Sequence, residues 1–299
     1  MGHPGSTARI KPQGIGARVL RKEDDRHLHG KANFVADMVM PGLSEVAFMR
    51  SPLAHARITA VEIAPTSQHA VFTRVHLSDV LDIAADSSLP TYQLSAHPPL
   101  ASDKVRFVGE PIVMGVAATR AEAEDLLETV QVQYQELPAY ADVLSAMQAT
   151  EHLVHEQWKD NIFVTLSVDK NFEALAAQAE VVVHRKMSLS RQCMVPLEGK
   201  AVLAYWDHQA NQLVVVSATQ VPHLIRTALA QYLQMDQGQV RVISPDVGGA
   251  FGYKCILQQE ELCVAWLAKT YRKPIRYLED LREHLIAGAN TREHYYEMT

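Results

Sequence analysis

Strand and helix patterns alternate along residues 171–278, and this alternation constrains the fold more than any other feature of the sequence. Short apolar runs of strand length take turns with longer runs of helix formers. In chain order these are a helix at Asn171–Ala179, strands at Val181–Leu189, Ala201–Trp206 and Leu213–Thr219, a helix at Pro222–Leu233, a strand at Val240–Ile243, a helix at Ile256–Thr270 and a strand at Ile275–Leu278. Such an order predicts β-α-β units with helices packed on a sheet.

Strand patterns dominate the first 140 residues instead. These strands are predicted at Gly30–Asp37, Leu43–Ser51, Ala60–Ile63, Pro111–Ala117 and Val130–Glu136. Thr119 and Glu122 have the spacing of a capping box, which predicts a helix over Ala121–Val130. Strands with at least one helix indicate an α+β domain.

The chain length and the different order of predicted elements in the two regions predict two domains. A chain of 299 residues is about twice as long as a typical domain. We predict a loose leader at residues 1–14, a first domain at 15–148, a polar linker at 149–160 and a second domain at 161–299. The sequence stops within the polar, aromatic segment 291–298, so we expect the second domain to be truncated.

The composition argues against several classes of partner. Lys and Arg number 28 against 34 Asp and Glu, and the net charge of −6 offers no basic excess for nucleic acid. The longest apolar runs, such as Leu213–Val216, are far shorter than the roughly 20 residues of a membrane span. The first ten residues lack the apolar region of a secretory signal. We therefore expect a cytoplasmic protein without a membrane span.

Neither the cysteines nor the histidines form a metal-binding pattern. Cys193, Cys255 and Cys263 include no C-x-x-C pair, which favours reduced thiols, and they are one short of the four thiolates of an ordinary iron–sulfur cluster. His152 and His155 could share a helix face, but the residues around them match no zinc motif. We predict no direct metal ligand in this chain.

The sharpest local feature is a glycine-rich loop at residues 246–254, between a predicted strand and a predicted helix. Its three glycines allow close approach of a ligand, and amide groups before a helix favour an oxyanion or phosphate. Lys254 stands two residues after Gly252, so the loop is not a Walker A motif. An ordinary glycine-rich turn remains the alternative.

Two further segments carry polar groups next to predicted strands. Gln220 would offer a neutral amide donor where a strand runs into a helix, a place where open α/β sheets bind ligands. The alternative is simple capping of that helix by Thr219. Gln192 and Glu198 flank a third segment, for which a solvated loop is the alternative. We expect Gln220 and the glycine loop to converge on one buried point.

The chain resembles the molybdenum-binding large subunit of the xanthine dehydrogenase/aldehyde oxidase family of molybdenum hydroxylases. The resemblance to the α/β hammerhead domain of that family rests on residues 28–37, 50–58, 105–112, 119–125 and 132–138. The second region is similar in two places, Ser217–Gln220 and the loop Gly248–Gly252, in the family's order and spacing. The implied fold class is α+β: a hammerhead domain followed by the first part of a mixed α/β molybdopterin-binding domain.

The resemblance also implies roles for individual residues. Gln220 would donate a hydrogen bond to the apical oxo group on molybdenum. The cofactor would be held by the strand end and the loop, at Thr219, Gly248, Gly249, Ala250, Phe251 and Gly252. Cys255 stands where xanthine-oxidising members have a glutamate that contacts the purine, which argues against xanthine. Cys255 and Glu198 are candidates for the substrate pocket, and the catalytic glutamate base of the family lies beyond this chain.

The function implied by this resemblance is oxidation of an aldehyde or N-heterocycle with water as the oxygen source. The cofactor would be molybdopterin, with its cytosine dinucleotide form left open. The partners would be an FAD-binding subunit, a 2Fe-2S subunit, the missing C-terminal molybdopterin-binding portion and a small-molecule substrate. We expect the isolated chain to be incomplete and inactive. The alternatives are a truncated, inactive homologue and a non-redox module that binds a phosphorylated ligand.

Overall fold

The computed structural model describes residues 14, 15, 17, 19–84, 87–168 and 170–299. The chain forms two compact units, residues 1–33 and residues 34–299. The first unit contains one described helix, α1 (Asp24–Leu28). Of the predicted leader at residues 1–14, all but Gly14 lies outside the described residues.

The second unit contains fourteen described strands and six described α-helices. The strands are β1 (Ser44–Arg50), β2 (Ala56–Ile63), β3 (Val71–Phe72), β4 (Ile83–Ala84), β5 (Ala96–His97), β6 (Lys104–Val105), β7 (Pro111–Ala117), β8 (Val130–Glu136), β9 (Arg185–Leu189), β10 (Ala201–Asp207), β11 (Gln212–Ser217), β12 (Val240–Ile243), β13 (Ile275–Leu278) and β14 (His294–Met298). The helices are α2 (Arg120–Glu128), α3 (Val143–Gln148), α4 (Phe172–Ala176), α5 (Pro222–Tyr232), α6 (Gln259–Tyr271) and α7 (Leu281–Ala287). Short 3₁₀ helices lie at Val35–Asp37, Arg74–Leu77, Gln237–Gln239 and Tyr253–Cys255.

A seven-stranded sheet in the order β12-β11-β10-β13-β1-β7-β3 organises the second unit. Its centre joins distant parts of the chain, because β1 pairs in parallel with β13 and Ser44 lies opposite Ile275. Strands from both sides of the predicted linker therefore belong to one sheet. The smaller sheets are β6-β2-β8, β14-β9 and β4-β5.

The predicted linker, residues 149–160, packs against the strand-rich first part of the second unit. The backbone carbonyl of Leu153 accepts a hydrogen bond from Lys104 Nζ at 2.7 Å. Trp158 Nε1 donates to the carbonyl of Leu94 at 3.0 Å. The domain boundaries at 148 and 160 remain a prediction, because the seven-stranded sheet contains strands from both sides of them.

The main apolar core lies between the seven-stranded sheet and α6. Residues 260–268 of this helix are all buried, so the helix is covered on nearly every face. Leu213 and Leu229 are fully buried in the same cluster. This packing fixes the ends of β11 and β12, where the polar segments identified in the sequence lie.

Several elements begin and end at the residues that local sequence patterns predict. The strands predicted at Pro111–Ala117, Val130–Glu136, Val240–Ile243 and Ile275–Leu278 are confirmed. The capping box is also confirmed: Thr119 Oγ1 accepts from the Glu122 N–H at 3.3 Å, and the Glu122 carboxylate accepts from the Thr119 N–H at 3.0 Å.

The strand predicted at Gly30–Asp37 is wrong. Gly30 adopts a left-handed backbone with φ of +65°, which an extended strand does not accommodate. Val35–Asp37 forms a 3₁₀ turn instead, and the Phe34 N–H donates to Asp37 Oδ2 at 2.9 Å. The short polar side chain of Asp37 thus supplies a local partner that replaces the hydrogen bonds of a sheet.

Candidate functional site

The glycine-rich loop connects β12 to the short 3₁₀ helix that precedes α6. Gly249 and Gly252 have φ of +97° and +92°, values that L side chains rarely adopt. Phe251, between them, also lies in the left-handed region at φ +53°. A bulky residue in this region is strained, and the Phe251 side chain is 73% exposed. The loop therefore presents one aromatic ring outward.

Gln220 contacts this loop directly. Its side-chain Oε1 accepts a hydrogen bond from the Gly252 N–H at 3.2 Å, and its own backbone N–H donates to the Lys254 carbonyl at 3.0 Å. A backbone N–H can pair only with the oxygen of the Gln220 side-chain amide. The NH₂ group of Gln220 therefore points away from Gly252 and can donate to another group. The sequence prediction that Gln220 and the loop meet is confirmed. The expectation of a buried meeting point is wrong, because Gln220 is exposed.

Thr219 attaches the end of β11 to the same loop. Its Oγ1 donates to the Lys254 carbonyl at 3.1 Å and accepts from the Val221 N–H at 3.2 Å. The N-cap of α5 is Val221, which makes no side-chain cap bond. The side chain of Thr219 therefore reaches across to the loop and does more than cap the following helix.

Three consecutive backbone N–H groups of the loop have no hydrogen-bond acceptor among the described residues. Within the described residues, the structure gives no acceptor for the N–H of Gly249, Ala250 or Phe251. Neighbouring N–H groups that lack partners form a concave anion-binding site. Together with the free NH₂ of Gln220, they make a set of donors without acceptors, which suits a cofactor rich in oxo and phosphate oxygens.

Glu198 lies against the start of the loop. Its Oε2 accepts from the Gly248 N–H at 2.8 Å and from Lys254 Nζ at 2.8 Å. Its Oε1 is buried and has no partner among the residues described. Glu198 was predicted from the sequence as a pocket candidate, but its pairing with Lys254 was not.

A second ion pair lies beneath the site and was missed from the sequence. Lys200 Nζ and Glu261 Oε2 are 3.0 Å apart, and both side chains are almost completely buried. Glu261 also accepts from the Ser217 hydroxyl and from the Gln258 N–H. The spacing of Gln258 and Glu261, which is that of a capping box, was the available signal for the start of α6.

Tyr253 ties the loop to the region around α7. Its hydroxyl donates to Glu279 Oε1 at 2.7 Å, and burial beside that carboxylate raises the pKa of Tyr253. Glu279 Oε2 lies 3.1 Å from His284 Nδ1, and the tyrosine and histidine rings pack edge to face. Tyr253 is thus a buried anchor between the loop and this region.

Cys255 is the remaining pocket candidate, and the pair His152 and His155 was predicted not to bind a metal. Cys255 is partly buried and follows Lys254 in the 3₁₀ helix, and its N–H donates to the Gly252 carbonyl at 3.2 Å. His155 is buried against Trp158 far along the chain from the loop, and burial lowers its pKa to about 4.

Within the described ranges, no group of three or more His, Cys, Asp or Glu side chains could hold a metal ion. None of the helices described there has the length and hydropathy that a membrane span requires.

Two family models match consecutive parts of the chain. Residues 29–138 match the a/b hammerhead domain of aldehyde oxidase and xanthine dehydrogenase. Residues 154–299 match the molybdopterin cofactor-binding domain. The fold class expected from the sequence, a hammerhead domain followed by a molybdopterin-binding domain, is confirmed.

Proteins of known function are similar along nearly the whole chain. The nicotine 6-hydroxylase large subunit of Paenarthrobacter nicotinovorans is 32% identical over 94% of this chain and 35% of its own length. The structure of quinoline 2-oxidoreductase from Pseudomonas putida 86 has a TM-score of 0.85 at 31% identity, covering 93% of this chain and 36% of that one. The structure of CO dehydrogenase from Oligotropha carboxidovorans has a TM-score of 0.81 at 28% identity, covering 95% and 37%.

The chain spans about a third of the length of these relatives. The two domain matches nevertheless follow one another in order and cover most of the sequence. The chain therefore belongs to the xanthine dehydrogenase/aldehyde oxidase family of molybdopterin-dependent oxidoreductases, as a portion of the molybdenum-binding large subunit.

Proposed function

We propose that this chain holds molybdopterin at the glycine loop and forms part of a hydroxylase that oxidises an N-heterocycle or an aldehyde. The observation that supports it is the convergence of Gln220 on a loop whose three neighbouring N–H groups lack acceptors. A set of donors without competing acceptors binds an anionic cofactor through charge-assisted hydrogen bonds. When bound, the cofactor would supply two-electron redox chemistry at its metal.

The residues of this chain bind and orient the cofactor in this proposal. The N–H groups of Gly249, Ala250 and Phe251 would donate to cofactor oxygens, and Gln220 would direct its NH₂ toward an oxo group. Neither role needs a proton to leave the side chain, since amides are neutral donors at all ordinary pH values. The Gly252 N–H keeps Gln220 in the donor orientation by occupying its oxygen.

An N-heterocycle is the substrate class with more support. Two relatives carry the name of an aromatic N-heterocycle or of a pyridine alkaloid, quinoline and nicotine. Phe251 is an exposed apolar ring on the loop and Cys255 a partly buried thiol next to the loop, which suits an aromatic substrate. The overall reaction would convert a C–H bond and water into a C–OH bond, two protons and two electrons.

The electrons would leave through a 2Fe-2S subunit and an FAD-binding subunit in this proposal, because the three free cysteines here are too few for a cluster. Reduced thiols fit a cytoplasmic location. The remainder of the large subunit would supply the catalytic base and the rest of the cofactor site, including any cytosine dinucleotide contacts.

The test uses the full-length protein that carries this sequence, purified with its partner subunits. We expect about one molybdenum and one pterin per large subunit, and ¹⁸O from labelled water in hydroxylated quinoline. The variant Gln220→Ala should lose most of this activity, whereas exposed Gln231→Ala on α5 should retain it. A protein without molybdenum that binds nucleotides would favour the phosphorylated-ligand module, and a metal-free protein without turnover would favour the inactive homologue.

A further inference from the structure

One carboxylate oxygen holds the two ends of the glycine loop together. Glu198 Oε2 lies 2.8 Å from the backbone nitrogen of Gly248, where the loop begins, and 2.8 Å from Lys254 Nζ, where it ends. The backbone joins the same arrangement, because the Glu198 N–H donates to the Gly248 carbonyl at 3.1 Å. Glu198 is thus bonded to the loop from both its backbone and its side chain.

The surroundings leave little freedom for this arrangement to change. A Cβ atom on Gly248 would lie 2.6 Å from Glu198 Cβ, so only glycine allows the approach. The Lys254 side chain is fully buried, and burial lowers its pKa while the Glu198 carboxylate opposes the change. A buried ammonium group without its counter-charge is costly, so loss of Glu198 would drive Lys254 to a new position.

Movement of Lys254 would be transmitted to Gln220. The Lys254 carbonyl accepts from the Gln220 N–H at 3.0 Å and from Thr219 Oγ1 at 3.1 Å. The Gln220 side chain in turn accepts from the Gly252 N–H. The donor and the loop are therefore fixed relative to each other through the backbone of Lys254.

We propose that Glu198 is a positioning residue, which acts through Lys254 to hold the Gln220 amide and the loop N–H groups in one orientation. This inference rests on the proposed function, since the positioned groups are those that would face the cofactor. The positioning itself is a property of the chain without any ligand, so it can be tested independently.

The experiment is amide hydrogen exchange and ¹⁵N NMR on the full 299-residue chain without cofactor. In Glu198→Gln the amide oxygen still accepts from Gly248 but cannot neutralise Lys254. We expect the Gly252 amide to exchange about tenfold faster or more, as for a lost charge-assisted hydrogen bond, and the Gln220 side-chain signals to shift. Lys254→Met should give the same pattern. The double variant should be no worse than the more affected single variant, because both act through one contact.

Glu45→Gln is the matched control, since the Glu45 carboxylate is about as buried as that of Glu198 and forms an ion pair with Arg276, between β1 and β13. It should leave the Gly252 and Gln220 signals unchanged, and the amides of β2 and β8 report whether each variant folds. If Glu198→Gln does not fold, Lys254→Met carries the test alone. Unchanged Gly252 exchange, or single effects that multiply in the double variant, would overturn the proposal. Absence of molybdenum from the full-length protein would refute the proposed function and leave this result intact.

Discussion

The side-chain oxygen of Gln220 lies 3.2 Å from the backbone nitrogen of Gly252, so the end of β11 and the glycine loop share a direct hydrogen bond. This contact determines which half of the amide is available. Because the oxygen is occupied by an N–H donor, the NH₂ group is presented to whatever binds over the loop. The orientation that the proposed hydrogen bond to an oxo group requires is therefore set by the chain itself.

Gln220→Glu should distinguish the acceptor role of the side-chain oxygen from the donor role of the NH₂ group. The new carboxylate can still accept from Gly252, so the exchange rate of the Gly252 amide in the isolated chain should change little. Gln220→Ala removes the acceptor, and exchange should rise several-fold, as expected for loss of one hydrogen bond worth about 1 kcal/mol. Both variants lack the NH₂ donor, so under the proposed function both should lose most of the turnover of the full-length protein. Faster exchange in both variants would contradict this account.

Gly248→Ala should damage the loop because the added Cβ would lie 2.6 Å from Glu198 Cβ. We expect a loss of about 1–3 kcal/mol in the free energy of unfolding, the usual cost of overpacking. The measurement is urea denaturation followed by circular dichroism. Gly238→Ala is the control, since a Cβ there meets nothing within 4 Å and the backbone needs no positive φ. Equal effects at the two glycines would show that close packing on Glu198 is not the cause.

Glu110→Gln should flatten the pH dependence of stability. Burial raises the pKa of Glu110 to about 7 from 4.5, although the Arg106 N–H and guanidinium oppose the shift. The native state therefore binds a proton that the unfolded state has released between about pH 4.5 and 7, and stability falls as the pH rises through this window.

The shift corresponds to a change on the order of 3 kcal/mol between pH 4.5 and 8. Glutamine is neutral throughout, and it keeps an acceptor for the Arg106 N–H that Glu110 Oε2 now accepts at 2.6 Å. The variant should therefore be more stable than the parent chain at pH 8 and similar at pH 4.5, in urea titrations at both values. Exposed Glu128→Gln should leave the slope unchanged. A parent-like slope in Glu110→Gln would rule out this carboxyl as the source.

The Lys200–Glu261 pair should show strong coupling. Glu261→Gln leaves a buried ammonium group without a counter-charge and should cost about 3–5 kcal/mol. Lys200→Met should cost a similar amount, and the double variant should cost clearly less than the sum, because no unpaired charge remains. Denaturant unfolding of the four chains completes the cycle. The exposed pair Lys186–Glu297 is the comparison, and Glu297→Gln should change stability by at most about 0.5 kcal/mol. Additive effects at Lys200 and Glu261 would contradict the pairing.

The sequence by itself determined the elements whose signals are local. Val130–Glu136 alternates apolar and polar residues because one face of that strand is buried, and the pattern gave its bounds. Thr119 and Glu122 located the start of α2 because a capping box is completed within four residues. The glycine loop was visible for the same reason, since positive φ at Gly249 and Gly252 is a local requirement. The strand wrongly predicted at Gly30–Asp37 shows the limit, because the pattern of this short segment does not reveal a turn in which Asp37 accepts from the Phe34 N–H.

Only the tertiary structure decided which distant groups meet. The parallel pairing of Ser44 with Ile275 and the burial of Lys200 against Glu261 join positions that no short pattern connects. The same holds for Glu198, whose partner Lys254 lies 56 residues away and whose segment alone resembles a solvated loop. A carboxylate has the same local pattern in either setting, and its role depends on the ammonium group that packing brings to it. The residues proposed to bind a cofactor could therefore be named from the sequence, whereas the ion pairs beside them could not.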